Sequence, residues 1–149
     1  MLQYIQGDLF QSNDVVLAHA CNCRGAWGAG VAAIFRKKFP HAFQAYQRHC
    51  SDNPPLEILG TAFLADTGDG RWVACLFTSD RAGASKLAPT EILVHTATAM
   101  ADLERQMTAH GQQSVSMPKI NAGLFAVPWE NTEEVIAKST LNITVYTLD

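Results

Sequence analysis

The sequence predicts an α/β domain in which helices cover the faces of a sheet, and three observations carry that prediction. Short strand-like runs alternate with helix-like ones from end to end. One run, Val15-Val16-Leu17-Ala18-His19-Ala20-Cys21, is almost continuously apolar, as a strand buried on both sheet faces must be. The 149 residues are 48 % hydrophobic and 17 % charged, an ordinary globular composition, and a chain of this length buries roughly 68–70 % of its unfolded surface. One core and one domain, residues 1–149, are therefore expected.

Gln3-Tyr4-Ile5-Gln6 reads as the first strand, ended by Gly7-Asp8. The apolar run is the second, and it empties into a glycine-rich stretch, Cys23-Arg24-Gly25-Ala26-Trp27-Gly28-Ala29-Gly30. Val31, Ile34, Phe35 and Phe39 then recur at helical spacing. Arg36, Lys37 and Lys38 complement the dipole near that helix's end, and Pro40 stops it. A short helix follows over 43–49, and Ser51-Asp52-Asn53-Pro54-Pro55 reads as a loop too short to link domains. Strands over 60–65 and 71–78 flank the turn Asp66-Thr67-Gly68-Asp69-Gly70 and form a hairpin. Thr90 is placed to cap a helix that turns Ile92, Leu93, Thr96, Met100, Leu103 and Met107 to the core and ends near Gly111. A strand over 114–118 runs into the loop Asn121-Ala122-Gly123-Leu124-Phe125. Asn131 and Glu134 have the spacing of a capping box opening a last short helix, and 142–148 closes the chain as an alternating strand.

Charge and cysteine usage exclude several functions. A net charge of −3 offers no molecule-wide electrostatic attraction for duplex nucleic acid. No apolar stretch approaches the ~20 residues of a bilayer-spanning helix. The opening Met1-Leu2-Gln3-Tyr4 lacks the basic and apolar segments of a secretory signal, and with Cys21, Cys23, Cys50 and Cys75 it predicts a reducing, cytoplasmic setting without a disulfide framework. The C-x-C pair Cys21/Cys23 matches neither the redox spacing nor half of a familiar zinc site, so buried structural thiols are expected.

Two segments share one design: a buried strand enters a glycine-containing loop, and the loop feeds a helix. Open α/β sheets bind ligands outside the carboxyl ends of their strands, and a helix N-terminus offers unpaired N–H groups to an anion. The loops over 22–31 and 120–127 are accordingly the candidate site. In an acidic chain, a phosphate-bearing ligand would rest mainly on backbone N–H groups, whose close approach Gly28, Gly30 and Gly123 permit. The same glycines could simply make turns, and these residues alone leave both readings open. The spacing Gly-x-x-Gly-x-Gly is neither the dinucleotide fingerprint nor a P-loop.

Several segments, in order, carry a resemblance. They are Gly7-Asp8-Leu9-Phe10, then His19-Ala20-Cys21-Asn22-Cys23-Arg24-Gly25-Ala26-Trp27-Gly28-Ala29-Gly30-Val31-Ala32, and Cys75-Leu76-Phe77-Thr78-Ser79. Met117-Pro118-Lys119-Ile120-Asn121-Ala122-Gly123-Leu124-Phe125, Pro128-Trp129 and Thr144-Val145-Tyr146 complete the set. Together they resemble a macrodomain of the small subgroup containing the ADP-ribose 1''-phosphate phosphatase (Appr-1''-p processing enzyme) and the terminal ADP-ribose glycohydrolase. The resemblance implies a macrodomain-like three-layer α/β/α sandwich with a central mixed β-sheet. It implies that Asp8 accepts a hydrogen bond from the adenine amino group and that the Leu9 backbone meets the ring. By the same resemblance Ala20, Cys21 and Asn22 with Trp27, Gly28, Ala29, Gly30, Val31 and Ala32 wrap the distal ribose and phosphate, and Ile120, Asn121, Ala122, Gly123, Leu124, Phe125 and Ala126 wrap the diphosphate.

Two departures choose between the branches. Where the glycohydrolase branch has a nucleophilic Lys and a basic Asp, this chain has Ser79 and Phe125, which can neither form a Schiff base nor move a proton. The phosphatase branch has Thr-Ser, Gly-aliphatic-Phe and His-x-Cys-Asn-Cys at these places, as here. The resemblance thus implies a phosphoric monoester hydrolase acting on ADP-ribose 1''-phosphate; no cofactor is expected and no residue is singled out as a metal ligand. Release of ADP-ribose from modified protein or nucleic acid, or non-catalytic ADP-ribose reading, are the alternatives.

Phosphomonoester hydrolysis needs proton transfer and donors for the equatorial oxygens. His19 is the titratable candidate, set against a satisfied core histidine; Asn22 would orient a ribose hydroxyl or water, and the 28–30 amides would be the donors. Trp27 and Phe125 serve either as aromatic walls or as loop packing. Arg24 and Arg81 are expected in solvent, as are His41, His49, His95 and His110; Asp66, Asp69 and Asp80 are expected in turns and caps. The partners expected are ADP-ribose, ADP-ribose 1''-phosphate and ADP-ribosylated macromolecules, bound by a monomer with no membrane association.

Overall fold

The computed structural model of the chain describes residues 1–81 and 86–148. Its strands are β1 (Leu2–Gln6), β2 (Val16–Cys21), β3 (Ala62–Asp66), β4 (Trp72–Phe77), β5 (Ser114–Met117) and β6 (Asn142–Thr147). They form one six-stranded sheet of order β1-β6-β5-β2-β4-β3. All neighbours run parallel except β3, which returns antiparallel along β4 as the hairpin turn dictates. The apolar run of β2 lies between β5 and β4, in register from Val16 opposite Trp72 to Cys21 opposite Phe77.

Because side chains alternate across a strand, β2 feeds two cores. Val16 and Ala18 join Ala99, Met100, Leu103 and Met107 of α4 (Pro89–Ala109) and Ile136 of α5 (Trp129–Ile136). Leu17 and Cys21 join Phe35 of α1 (Gly30–Lys38) with Phe43 and Tyr46 of α2 (Pro40–Asp52) on the opposite face. Helices thus cover both faces, and the architecture is the expected α/β/α sandwich. Among the described residues, no helix is long and apolar enough to cross a membrane.

Helix starts depart from expectation, and proline is the reason. Pro40 ends α1 and is also the first residue of α2, which runs through Ser51 and Asp52, residues expected in a loop. Pro55 opens a single helical turn, α3 (Pro55–Ile58). Thr90 lies inside α4, whose N-cap is Ala88 before Pro89, and Asn131 lies inside α5, whose N-cap is Pro128. A proline in the first turn, as in α2, α3 and α4, supplies the helical φ and has no N–H to satisfy, so a side-chain cap is dispensable there; in α5 the proline is itself the N-cap. A 3-10 turn (Leu9–Gln11), not foreseen, is capped by Asp8, whose Oδ1 accepts from the Phe10 N–H at 2.9 Å.

Candidate active site

At the carboxyl ends of β2 and β5 the two glycine-containing loops face one another across a cleft of about 540 Å3. One wall is Ala20, Cys21, Asn22 and Trp27 with Gly28, Ala29, Gly30, Val31 and Ala32; the other is Ile120, Asn121, Gly123, Leu124 and Phe125. Ala26, within the first loop, also lines it, as do Pro118 and Lys119, which precede the second loop and lie outside both stretches expected from the sequence. Lys119 carried a signal in its charge, since it is the only charged side chain lining the cleft among the described residues.

The first loop is built on its own side chains. Asn22 Oδ1 accepts from the Arg24 N–H at 2.9 Å and from the Tyr46 hydroxyl at 3.0 Å, while Nδ2 donates to the Ala26 carbonyl at 2.7 Å. The Cys23 N–H donates to the Asp80 carbonyl at 3.0 Å, and Arg24, expected in solvent, is gripped by both Asp80 carboxylate oxygens at 2.8 Å. Beneath lies an aromatic stack. Trp27 stacks on Tyr46 with centroids 4.8 Å apart, His19 meets Trp27 edge-on at 4.7 Å, and Phe35 lies parallel to His19 at 4.1 Å. With Trp27 1 % exposed, its ring is the floor of the loop rather than a lid.

The loop delivers the N-terminus of α1 to the cleft. Ala29, the N-cap, is extended (φ −152°, ψ 165°) and makes no side-chain cap, so no side chain competes for the first-turn N–H groups. Gly30 has φ +62°, and no atom lies within 4 Å of where a Cβ would stand on it or on Gly28. A side chain at either would project into open space at the cleft. Unpaired N–H groups, positive dipole and clearance are together the features an anion needs.

The second loop is clamped from below. Asn121 has φ +66° and is 4 % exposed; its Oδ1 accepts from Thr78 Oγ1 at 2.8 Å, and its Nδ2 donates to Thr96 Oγ1 at 2.9 Å and Thr132 Oγ1 at 3.4 Å. Its side-chain polar atoms therefore face the core and position the loop, while the residue still lines the cleft. The Asn121 carbonyl accepts from Val127 N–H at 2.8 Å, closing the loop. Phe125 packs on Ile92 and Val127, 6 % exposed, with an edge on the cleft. Ala122 and Ala126 are exposed but outside the cleft wall, and Ala126 is left-handed at φ +56°. Ser79 Oγ donates to the Arg81 carbonyl at 2.7 Å and accepts from the Leu87 N–H at 3.3 Å.

Two expected sites lie elsewhere. His19, the proposed proton-transfer group, is 0 % exposed between Phe35 and Trp27 and does not line the cleft. Its ring packs against Trp27, with Nε2 3.5 Å from Cys21 Sγ, so the cleft meets it only through those two neighbours. Asp8 is exposed and Leu9 buried at the end of β1, outside the cleft. β1 is three interstrand steps from β2, or roughly 14 Å at the usual spacing. Only an elongated ligand touches both Asp8 and Asn22.

The thiols follow burial. Burial pushes Cys23 up to about 12 and half-buried Cys50 up to about 11. Burial likewise holds Cys75 well above its ordinary value. It also resists ionisation of Cys21, but the Cys75 thiol, the His19 ring and the Trp27 indole N–H around its sulfur outweigh that and lower its pKa. The indole N–H makes no hydrogen bond of ordinary geometry. His49 is not free in solvent: it stacks on Phe63 at 4.2 Å, and burial lowers its pKa against a smaller opposing effect of Asp52.

Comparison with known proteins agrees with this fold. The macro domain family model matches residues 18–136. The ADP-ribose 1''-phosphate phosphatase of Debaryomyces hansenii is 44 % identical over 179 residues, covering 100 % of both chains, and that of Meyerozyma guilliermondii is 45 % identical over 172 residues, covering 99 % of this chain and 98 % of the relative. Among solved structures, the macrodomain of Mycobacterium tuberculosis DarG superposes with a TM-score of 0.81 at 26 % identity, covering 98 % of this chain and 97 % of that one. Mixed sheet, facing loops and full-length relatives lead to one assignment: the chain belongs to the macro domain family.

Proposed function

We propose that this macro domain binds ADP-ribose derivatives in the cleft and hydrolyses ADP-ribose 1''-phosphate to ADP-ribose and phosphate. The observation that carries the reading is the pair Ser79 and Phe125. The Ser79 hydroxyl is spent on the Arg81 carbonyl and the Leu87 N–H, and Phe125 is packed on Ile92 and Val127, so the amine nucleophile and carboxylate base of the glycohydrolase branch have no counterpart at either place. Relatives similar over their whole length and named ADP-ribose 1''-phosphate phosphatase support the same branch.

Asp8 and the Leu9 backbone would receive adenine, the 120–126 loop the diphosphate, and the first loop with the α1 N-terminus the distal ribose and its phosphate. Water attacks phosphorus in line; the bond from phosphorus to the anomeric oxygen breaks, that oxygen takes a proton, and the attacking water gives one up. The anomeric oxygen leaves more readily than an ordinary sugar alkoxide, so positioned donors for the phosphoryl oxygens carry much of the catalysis. The first-turn N–H groups of α1 and the second hydrogen of Asn22 Nδ2 are those donors. We place the activity in a cytoplasmic monomer, in keeping with four free thiols, three of them buried.

One observation favours a second reading: with His19 sealed beneath Trp27, no His, Asp or Glu lines the cleft among the described residues. A reader of ADP-ribose, including ADP-ribosylated macromolecules, needs no such group. Presenting ADP-ribose 1''-phosphate and a peptide ADP-ribosylated on glutamate separates the readings. A phosphatase frees phosphate from the first and nothing from the second, a conjugate hydrolase frees ADP-ribose from the second, and a reader binds without freeing either.

A further inference from the structure

The proposed ligand poses an electrostatic problem that backbone amides do not solve alone. The chain carries a net charge of −3, and a diphosphate bearing a further phosphate monoester is a polyanion, so long-range electrostatics oppose its approach. A helix N-terminus contributes only about half an elementary charge. Against this, Lys119 is the single full positive charge on the cleft wall among the described residues.

Its setting leaves that charge available. Lys119 follows Pro118 at the end of β5 and is half-buried. Its carbonyl accepts from the Ala122 N–H at 3.4 Å, which ties its backbone into the clamped loop. Among the described residues its ammonium has neither an ion pair nor a hydrogen bond. Arg24, the cation on the opposite loop, is held by Asp80 instead. The rest of the wall is largely apolar and without carboxylates, so an ammonium there meets an anion with little competition.

We propose that Lys119 is the residue that selects the phosphorylated ligand, pairing its ammonium with the terminal phosphate monoester so that ADP-ribose 1''-phosphate is bound in preference to ADP-ribose. The division of labour is chemical. Each phosphate of a diphosphate bridge carries one charge and suits fixed amides, whereas a monoester approaching two charges gains most from a compact, mobile cation with three donors. This inference rests on the assignment of the cleft to ADP-ribose ligands.

The test is calorimetric binding of ADP-ribose and of its 1''-phosphonate, a phosphorylated ligand that keeps the terminal dianion without a cleavable P–O bond, to the wild type, Lys119→Met and Lys119→Arg, at low and physiological salt. Met keeps the apolar stem, and matching unfolding midpoints would establish that both variants fold. In the wild type the phosphorylated ligand is expected to bind more tightly, with a salt-dependent preference. Lys119→Met should weaken it by about 10–100-fold, as loss of a charged hydrogen bond does, change ADP-ribose affinity by less than about threefold, and flatten the salt dependence; Lys119→Arg should restore most of the preference. Equal weakening of both ligands would overturn the proposal in favour of a diphosphate contact, and no weakening would overturn it outright. A borohydride-trapped wild-type adduct, with Arg as inactive as Met, would overturn it in favour of a nucleophilic lysine. A wild type that binds neither ligand defeats the cleft assignment itself, whereas one that binds both and frees no phosphate from ADP-ribose 1''-phosphate defeats only the phosphatase reading and leaves the selectivity standing.

Discussion

Asn121 joins a left-handed backbone, φ +66°, to three buried threonine hydroxyls, and each half of that role has its own test. Asn121→Gly keeps the conformation and strands the Thr78 hydroxyl, whose acceptor it removes, while Thr96 keeps its bond to the Ile92 carbonyl, at a cost of about 1–3 kcal/mol. Asn121→Ala should cost about 1 kcal/mol more, since a Cβ is penalised in that region. Urea unfolding of the pair checks the difference; equal losses would mean that φ carries no strain. His49 gives a pH test. Burial holds its folded pKa below 6.5, so the unfolded chain binds the proton first, and stability is full above that value and declines as pH falls through it toward the folded pKa. His49→Phe keeps the stack on Phe63 and should flatten this decline between pH 7 and 5 in denaturant titrations. Both side chains also mark where sequence reading stops. The loop at 121–125 is legible from its glycine and its neighbours, but whether Asn121 faces ligand or core depends on Thr78, Thr96 and Thr132, brought to it by three separate elements. His19 lies within a run whose apolarity already signals burial, and the structure follows that signal.

At the scale of elements, α1 has an open N-terminus exactly where an anion is proposed to bind, and improving the helix should damage the site. Ala29→Asp supplies the missing cap, worth about 0.5–2 kcal/mol in helix stability, and puts a carboxylate where the phosphate would lie. The expected outcome is a higher unfolding midpoint without ligand together with at least about tenfold weaker ADP-ribose binding, because like charges would compete for the same N–H groups. A stabilised variant that binds normally would move the anion away from α1. The strands were the legible elements. Continuous apolarity found β2, alternation found β6, and the turn at 66–70 found the β3–β4 hairpin. Helix starts were less so, because Thr90 and Asn131 look like caps while the N-caps, Ala88 before Pro89 and Pro128 before Trp129, lie two and three residues earlier.

For the whole molecule, the order β1-β6-β5-β2 fixes the length of the ligand. A compound reaching from Asp8 to Asn22 crosses four strand ends, so its two halves should be separable. Asp8→Ala should weaken ADP-ribose by about tenfold, the loss of one hydrogen bond to a charged acceptor, and leave ribose 5-phosphate binding unchanged in calorimetry; equal effects on both would place adenine elsewhere. The central claim concerns turnover rather than binding. Its most direct test is phosphate release from ADP-ribose 1''-phosphate by the wild-type chain, followed over many equivalents with ADP-ribose quantified in the same reaction. The expected result is phosphate and ADP-ribose appearing in equal amounts beyond one equivalent of protein. Saturable binding with no phosphate released would contradict it and leave a macro domain that reads ADP-ribose without cleaving it.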